Sequence, residues 1–340
     1  MIYPTFLEKG DTIGVTATSG GVRNEIDVMT IENGIKNLKE IGYHVIETGN
    51  VRKTEKLVSS SGEERAKEFC ELWCDNNVKH IIASTGGEFL MDMLPYLDKY
   101  PLDEKNPKWV QGYSDTSLLN FYLTTKYNIA TVHATNFGGY GRKEIHPAFL
   151  KTLEMISNDD EKWQESFEMY ESEHMNWQEG KEFELPLLDT RVEYKNLYDD
   201  KPVTIEGRLI GGCIDVLRSI IGTSYDYTKQ FCSQVEEGMI WYLENCEMSV
   251  CDLYRTLWQM KEAGWFENAR GFLFGRTMSS QEVGGFTYTD AIHSALDTLN
   301  VPVIYDIDVG HTQLQWTMIN GSKVKFFYEN GRGKLLTKFE

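Results

Sequence analysis

The chain has 340 residues, of which 41% are apolar and 25% charged, and its net charge at neutral pH is −18. This length suits two domains, and the composition is that of an ordinary globular protein. With no basic stripe to offset the acidic charge, the sequence argues against binding a nucleic-acid polymer or an anionic membrane surface.

Targeting and metal-binding patterns are absent from the sequence. The first residues, MIYPTFLEKG, lack the basic and apolar regions of a signal peptide, and no apolar run is long enough to span a bilayer. The six cysteines form no CxxC pair, and there is no HExxH motif. We therefore expect reduced thiols, a cytoplasmic protein, no membrane partner, and neither a metal nor a cofactor.

The first 150 residues alternate between strand-like and helical patterns. Strands are predicted at 11–18, 44–47, 81–84, 109–111 and 130–134, with helices at 25–41, 62–76 and 91–97 and a further helix after Ser114. This alternation predicts an α/β domain, 1–150, with an open parallel sheet and helices on both faces, flavodoxin-like or Rossmann-like. Sites in such sheets lie at the carboxyl ends of the strands.

Residues 151–202 have a different character, because they are acidic, rich in aromatic residues and weakly periodic. We interpret them as a linker that carries a long loop. Its aromatic residues include Trp177 and Tyr194, which are candidates for stacking on a ligand. The alternative, which is the more frequent arrangement, is that such residues pack the loop onto its own domain.

The remaining residues, 203–340, predict a smaller C-terminal domain of mixed α/β type. Strands are expected at 205–210, 239–243, 271–274 and 301–307, and helices at 214–221, 250–263 and 289–299. The tail, 323–339, reads as a hairpin that turns at Asn330 and Gly331.

Ser114 is the first candidate for chemistry. It lies in the turn Gly112-Tyr113-Ser114, between a short strand and a helix, where a hydrolase can present a nucleophile beside free N–H groups. The match to the G-x-S-x-G elbow is partial, since Thr116 occupies the last glycine position. The alternative is that Ser114 or Asp115 only caps the helix.

A serine nucleophile needs a base, and the base needs an orienting acid. His311 and Glu244 each follow a predicted strand, where a polar side chain reaches the carboxyl end of a sheet. His133 competes as the base, although its position inside a strand favours a core histidine. The competing acids, Glu247 and Asp252, lie beyond the strand, and spacing alone does not decide between these choices.

Six segments together resemble one family, the serine peptidases that include LD-carboxypeptidases and microcin C immunity (MccF-like) proteins, peptidase family S66. They are STGGE (84–88), LPYLD (94–98), GYSDTSLL (112–119), EGRLIGG (206–212), WYLE (241–244) and DVGHT (308–312). The resemblance implies a catalytic triad of Ser114, Glu244 and His311, with the backbone N–H groups of Gly87 and Asp115 as the oxyanion hole. It also implies a site between two domains, a cytoplasmic homodimer and no metal.

Some positions depart from the family pattern and put substrate specificity in doubt. Cys213 stands where the family usually has Asn, and Asn245 to Met248 replace a Thr-Ser-Glu run that is followed by a lysine. The candidates for contact with substrate are Gly86, Glu88, Trp177, Tyr194 and Cys213.

Three functions stay open from sequence. The first is an LD-carboxypeptidase acting on murein tetrapeptide during cell-wall recycling. The second is an immunity-type peptidase that cleaves the amide of an aminoacyl-nucleotide, with an aromatic residue of the long loop stacked on the base. The third is a catalytically inactive binding protein, against which the intact triad residues count.

Overall fold

The structure is a computed structural model that describes residues 1–100, 102–173, 179–199 and 201–340. Its N-terminal part contains strands β1 (Thr12–Thr16), β2 (His44–Glu47), β3 (Val78–Ala83), β4 (Trp109–Gln111) and β5 (Thr131–His133), with helices α1 (Glu25–Glu40), α2 (Gly62–Cys74), α3 (Leu94–Leu97), α4 (Thr116–Tyr127) and α5 (Pro147–Met155). The five strands lie in the order β5-β4-β3-β1-β2, and all of their pairings are parallel. The predicted parallel sheet is confirmed.

Helix starts in this part follow from local sequence. The Asn24 side chain accepts a hydrogen bond from the backbone N–H of Asp27 at the start of α1, and Ser61 does the same for Glu64 at the start of α2. Such caps satisfy N–H groups that have no partner inside the helix. Helix α4 differs, since nearly all of its residues are buried, and it therefore packs between the two halves of the molecule.

The rest of the chain builds a second, mixed sheet. This part of the chain has strands β6 (Lys162–Glu165), β7 (Met169–Tyr170), β8 (Thr190–Arg191), β9 (Lys195–Asn196), β10 (Val203–Cys213), β11 (Met239–Glu244), β12 (Ala269–Gly275), β13 (Val303–Ile307), β14 (Met318–Asn320), β15 (Lys323–Glu329) and β16 (Arg332–Lys338), and helices α6 (Ile214–Leu217), α7 (Thr228–Ser233), α8 (Val250–Glu262) and α9 (Tyr288–Leu296). The sheet order is β6-β16-β15-β10-β11-β12-β13-β9, with β10 to β13 parallel and the outer strands antiparallel. Strands β7 and β8 pair with each other in a separate two-stranded sheet.

Three short strands cross the boundaries drawn from sequence. Strands β6 and β9, from the segment interpreted as a linker, form the two edges of the second sheet. Strand β14, from the C-terminal part, pairs antiparallel with β5 and adds a sixth strand to the first sheet. The 151–202 segment is therefore partly built into the C-terminal sheet, and the two halves share backbone pairing.

A shared apolar core joins the halves around α4. The Phe121 ring stacks on Trp265 with ring centroids 5.2 Å apart, and Trp265 stacks in turn on Trp241 of β11. All three side chains are fully buried. Because α4 directly follows Ser114, this packing fixes that residue relative to the carboxyl ends of β10 and β11. None of the helices in the described part of the chain has the length and apolar character required to cross a bilayer.

Candidate active site

Ser114 occupies a sharp turn between β4 and α4. Its φ angle is +59°, in the left-handed region that residues other than glycine seldom adopt, and its side chain is only half-buried. A non-glycine residue in this region stores backbone strain, which is found preferentially at functional sites. The turn thus presents the hydroxyl in the way that a nucleophile requires.

Asp115 connects this turn to the neighbouring loops rather than capping the helix. It stands at the cap position of α4, but its side chain makes no capping hydrogen bond. Its carboxylate instead accepts hydrogen bonds from the Ser19 hydroxyl and from the backbone N–H of Leu90, the latter at 2.9 Å. Burial raises the pKa of Asp115 above its usual range. The capping alternative therefore does not describe this side chain.

The glycine-rich loop after β3 lies directly against Ser114. A Cβ atom added to Gly86 would lie 2.9 Å from both Oγ and Cβ of Ser114, which is closer than real Cβ atoms come. Glycine at position 86 is therefore what permits the loop and the hydroxyl to approach each other. The adjacent Gly87 and the exposed Glu88 line the same cleft as Ser114.

Glu244 and His311 form a hydrogen-bonded pair. Glu244 is the last residue of β11 and is fully buried, and its Oε2 atom lies 2.8 Å from Nδ1 of His311. Gly310 leaves room for this carboxylate, because a Cβ there would lie 2.9 Å from Glu244 Oε2. Two residues on separate elements thus have the relative position that a catalytic base and its orienting acid require.

The charges of this pair support each other. Burial opposes protonation of His311, but the Glu244 carboxylate outweighs it and raises the pKa of His311 well above its usual range. Burial likewise disfavours ionised Glu244, yet the charge of His311 and the hydrogen bond between them leave the pKa of Glu244 lowered. Both directions favour the ion pair that forms when the imidazole accepts a proton.

A cleft with a volume of about 1180 Å³ brings the predicted residues together. Its lining includes Ser114, Asp115, His311, Gly86, Gly87, Glu88 and Cys213. The Tyr113 ring packs beside His311, with centroids 5.0 Å apart. Nucleophile, candidate base and glycine loop therefore face one space that is large enough for a peptide or a nucleotide-sized ligand.

Of the two aromatic candidates for substrate contact from the 151–202 segment, the one that the structure describes does not lie in the cleft. Tyr194 is 1% exposed and lies outside the cleft, because its hydroxyl donates a hydrogen bond to Asp308 Oδ2 at 2.6 Å and its ring packs on Trp316. This placement contradicts the prediction that Tyr194 contacts the substrate. Trp177 lies outside the described residues. Two acidic residues of the segment, Glu179 and Glu182, do line the cleft.

Two of the competing candidates, His133 and Asp252, have other partners, and Glu247 and Asp252 both line the cleft. His133 is fully buried within β5, burial lowers its pKa to about 4, and its Nδ1 atom lies 3.3 Å from Ser117 Oγ. Asp252 accepts hydrogen bonds from Ser249 at the start of α8 and from Arg255. The structure thus pairs His311 with Glu244, whereas Asp252 contacts Ser249, the residue that caps α8.

Sequence reasoning missed Asp215, which organises one wall of the cleft. Its carboxylate oxygens accept hydrogen bonds from the backbone N–H groups of Cys246, Glu247 and Met248, with N to O distances of 2.9 to 3.0 Å. The signal available was an acidic residue in the first turn of a short helix, which is too common to single out. Asp215 fixes the loop that follows Glu244, so Cys246 lines the cleft together with His311.

Comparison with known proteins matches both halves of the chain. The LD-carboxypeptidase N-terminal domain matches residues 13–134, and the LD-carboxypeptidase C-terminal domain matches residues 206–326. The microcin C7 self-immunity protein MccF of Escherichia coli is 26% identical over 344 residues, which cover 95% of this chain and 92% of that protein.

Solved structures show the same architecture. MccF in complex with aspartyl sulfamoyl adenosine superposes with a TM-score of 0.83 at 21% identity, covering 100% of this chain and 99% of that one. A muramoyltetrapeptide carboxypeptidase from Oxalobacter formigenes superposes with a TM-score of 0.73 at 20% identity, covering 96% and 99%. At these identities the likeness establishes the two-domain fold.

Proposed function

The chain belongs to the LD-carboxypeptidase family of serine peptidases, and from that premise we propose that it hydrolyses an amide bond through an acyl-enzyme on Ser114. The observation that carries the proposal is the hydrogen bond of 2.8 Å between Glu244 and His311, on a cleft that Ser114 also lines. A buried carboxylate, an imidazole and a strained serine in one space suit nucleophilic catalysis.

The reaction begins with acyl transfer. Neutral His311 takes the Ser114 proton on Nε2, because Nδ1 is engaged by Glu244, while Oγ attacks the carbonyl carbon. His311 then gives this proton to the leaving nitrogen, and the C–N bond breaks. Water, activated by the same imidazole, hydrolyses the ester and returns Ser114. Glu244 holds the tautomer and stabilises the imidazolium.

The tetrahedral oxyanion is assigned to the backbone N–H groups of Gly87 and Asp115. Support comes from the close approach of the glycine loop to Ser114, where a Gly86 Cβ would touch the hydroxyl. It comes also from the position of Asp115 at the start of α4, where N–H groups have no helical partner. Loss of one such donor typically costs about 3 kcal/mol of transition-state stabilisation.

Murein tetrapeptide is the first substrate we propose, with release of the terminal D-alanine in the cytoplasm. The family description and the structural likeness to a muramoyltetrapeptide carboxypeptidase support it. An aminoacyl-nucleotide is the second candidate, supported by the match to MccF along 95% of the chain and by the bound aspartyl sulfamoyl adenosine in an MccF structure. We expect a homodimer in either case.

The test compares hydrolysis of both substrates by wild-type protein and the Ser114→Ala variant. We expect the variant to lose on the order of 10⁶-fold in kcat on whichever substrate is cleaved. Ser233→Ala, which removes an exposed hydroxyl on α7, is the matched control. Activity of Ser114→Ala within about tenfold of wild type would exclude Ser114 as nucleophile. If the wild-type protein binds either substrate without cleaving it, the chain is a binding protein and the proposed enzymatic activity is wrong.

A further inference from the structure

Three side chains with metal-binding donor atoms converge beside the cleft. Cys213 ends β10, Glu244 ends β11, and His311 follows β13. One donor atom from each lies within 4.8 Å of the other two, and no other group of this kind occurs in the described part of the chain. No spacing motif reveals the set, because its members come from three separate elements.

The donor set suits a thiophilic divalent cation. Zinc binds thiolate sulfur at about 2.3 Å and imidazole nitrogen or carboxylate oxygen at about 2.0 to 2.2 Å, in tetrahedral geometry. Donors at these distances are separated by roughly 3.5 Å, so small side-chain rotations would bring the three atoms together. A sulfur, a nitrogen and an oxygen donor select zinc or cobalt over magnesium or calcium.

Burial and charge favour the same occupant. Cys213 and Glu244 are 2% and 0% exposed, and Oε1 of Glu244 is a buried oxygen with no hydrogen-bond partner within normal distance among the described residues. In the metal-bound state the Cys213 thiolate and the Glu244 carboxylate would carry two negative charges, which a divalent cation would neutralise in a place where buried charge is costly. An unpartnered oxygen in such a place is an acceptor that lacks a ligand.

A cation can reach the cluster from solvent. Cys213 and His311 both line the cleft, and so does Cys246. Three protein donors with the fourth position facing the cleft is the arrangement of an open zinc site. The fourth ligand would be water from the cleft.

We propose that Cys213, Glu244 and His311 form a binding site for a thiophilic divalent cation such as Zn²⁺, and that its occupation blocks the peptidase. Binding replaces the S–H proton of Cys213 with a metal–sulfur bond and takes an unprotonated nitrogen of His311, and the displaced protons pass to solvent. The metal also takes the carboxylate and imidazole that would otherwise activate Ser114. The inhibition rests on the proposed function, whereas the binding does not.

The experiment titrates untagged, reduced protein with Co²⁺ and follows thiolate-to-cobalt charge-transfer absorption. We expect one equivalent to bind wild type, and Zn²⁺ to displace it. Cys213→Ser should abolish the absorption, with its thermal unfolding checked against wild type. Cys74→Ser, which removes an exposed thiol, should leave the absorption unchanged, and so should Ser114→Ala.

The outcomes separate this proposal from the catalytic one. Absence of charge-transfer absorption in wild type, or its persistence in folded Cys213→Ser, would overturn the metal site. If Zn²⁺ binds wild type and yet leaves the rate of hydrolysis unchanged, the blocking role is wrong. Metal binding that survives in Ser114→Ala stands even if that variant retains full hydrolysis and the serine mechanism fails.

Discussion

Nδ1 of His311 lies 2.8 Å from Oε2 of Glu244, and this contact joins the loop after β13 to the end of β11. The carboxylate fixes which ring nitrogen carries the proton, so the other nitrogen is left as the base. It also outweighs the effect of burial and keeps the pKa of His311 raised. A change that preserves the shape of this acid and removes its charge should therefore affect catalysis more than substrate binding.

Glu244→Gln tests this directly. We expect kcat to fall on the order of 10³- to 10⁴-fold, because a neutral amide neither stabilises the imidazolium nor imposes the correct tautomer. KM should change far less. Steady-state kinetics on the cleaved substrate measure both, with Glu206→Gln on the exposed face of β10 as the control. A kcat near that of wild type would remove Glu244 from the triad.

Gly86→Ala tests the contact between the glycine loop and the nucleophile. The added methyl group would lie 2.9 Å from Ser114 Oγ, so either the hydroxyl or the loop must move. A displacement near 1 Å at the reacting atoms typically costs about 100-fold in rate. We expect a loss of this size in kcat, measured on the same substrate.

The matched control for this variant is Gly49→Ala. The nearest neighbour of a Cβ there is a Glu68 oxygen at 3.6 Å, an ordinary contact. Its activity should equal that of wild type. If Gly86→Ala were equally active, the glycine would not be needed for the approach of the loop to Ser114, and the support for the Gly87 oxyanion donor would weaken.

Periodicity predicted most long elements of this fold, because alternating and helical apolar patterns report which face is buried. The parallel strands β1 to β5 and the hairpin of β15 and β16 agree with the sequence prediction. Strands β6, β9 and β14 did not emerge, since each is short and none lies in the regular alternation of strands and helices that revealed the equally short β2, β4 and β5. Their places in the sheets come from pairing with distant segments.

The candidate site, like the fold, was predictable from sequence only in part. Glu244 and His311 lie at or after the ends of parallel strands of one sheet, so their approach to each other was accessible from sequence. Ser114 follows a strand of the other sheet, and its place beside them was predicted only from the family resemblance. The burial of Tyr194 was not accessible, because it depends on Asp308, which lies more than a hundred residues away along the chain. The role of Asp215 likewise depends on a loop that only the folded chain brings to it.

Tyr194→Phe tests the corrected assignment of this tyrosine. Its hydroxyl donates to Asp308 Oδ2 at 2.6 Å and accepts from the Asp308 backbone N–H at 3.1 Å, and Asp308 also pairs with Arg276 in a buried network. Removing the hydroxyl should destabilise the protein by about 1 to 3 kcal/mol. The ratio of activities on the two substrates should stay the same.

The measurements are urea unfolding and paired kinetics, with Tyr198→Phe as control, since Tyr198 is 43% exposed. That control should change the free energy of unfolding by less than about 0.5 kcal/mol. A changed substrate preference in Tyr194→Phe at unaltered stability would return this residue to the specificity determinants.

The buried His80 should make the free energy of unfolding depend on pH. It is fully buried in β3, and burial lowers its pKa to about 3. An unfolded histidine titrates near pH 6.5, so below that pH the unfolded chain binds a proton that the folded chain does not. Stability should therefore fall as pH drops, and His80→Leu should reduce the loss between about pH 7 and pH 5 by about 2 kcal/mol. Urea unfolding at each pH measures this loss of stability, with His44→Leu as the exposed control. If wild type and His80→Leu lose the same stability, His80 binds its proton in the folded state.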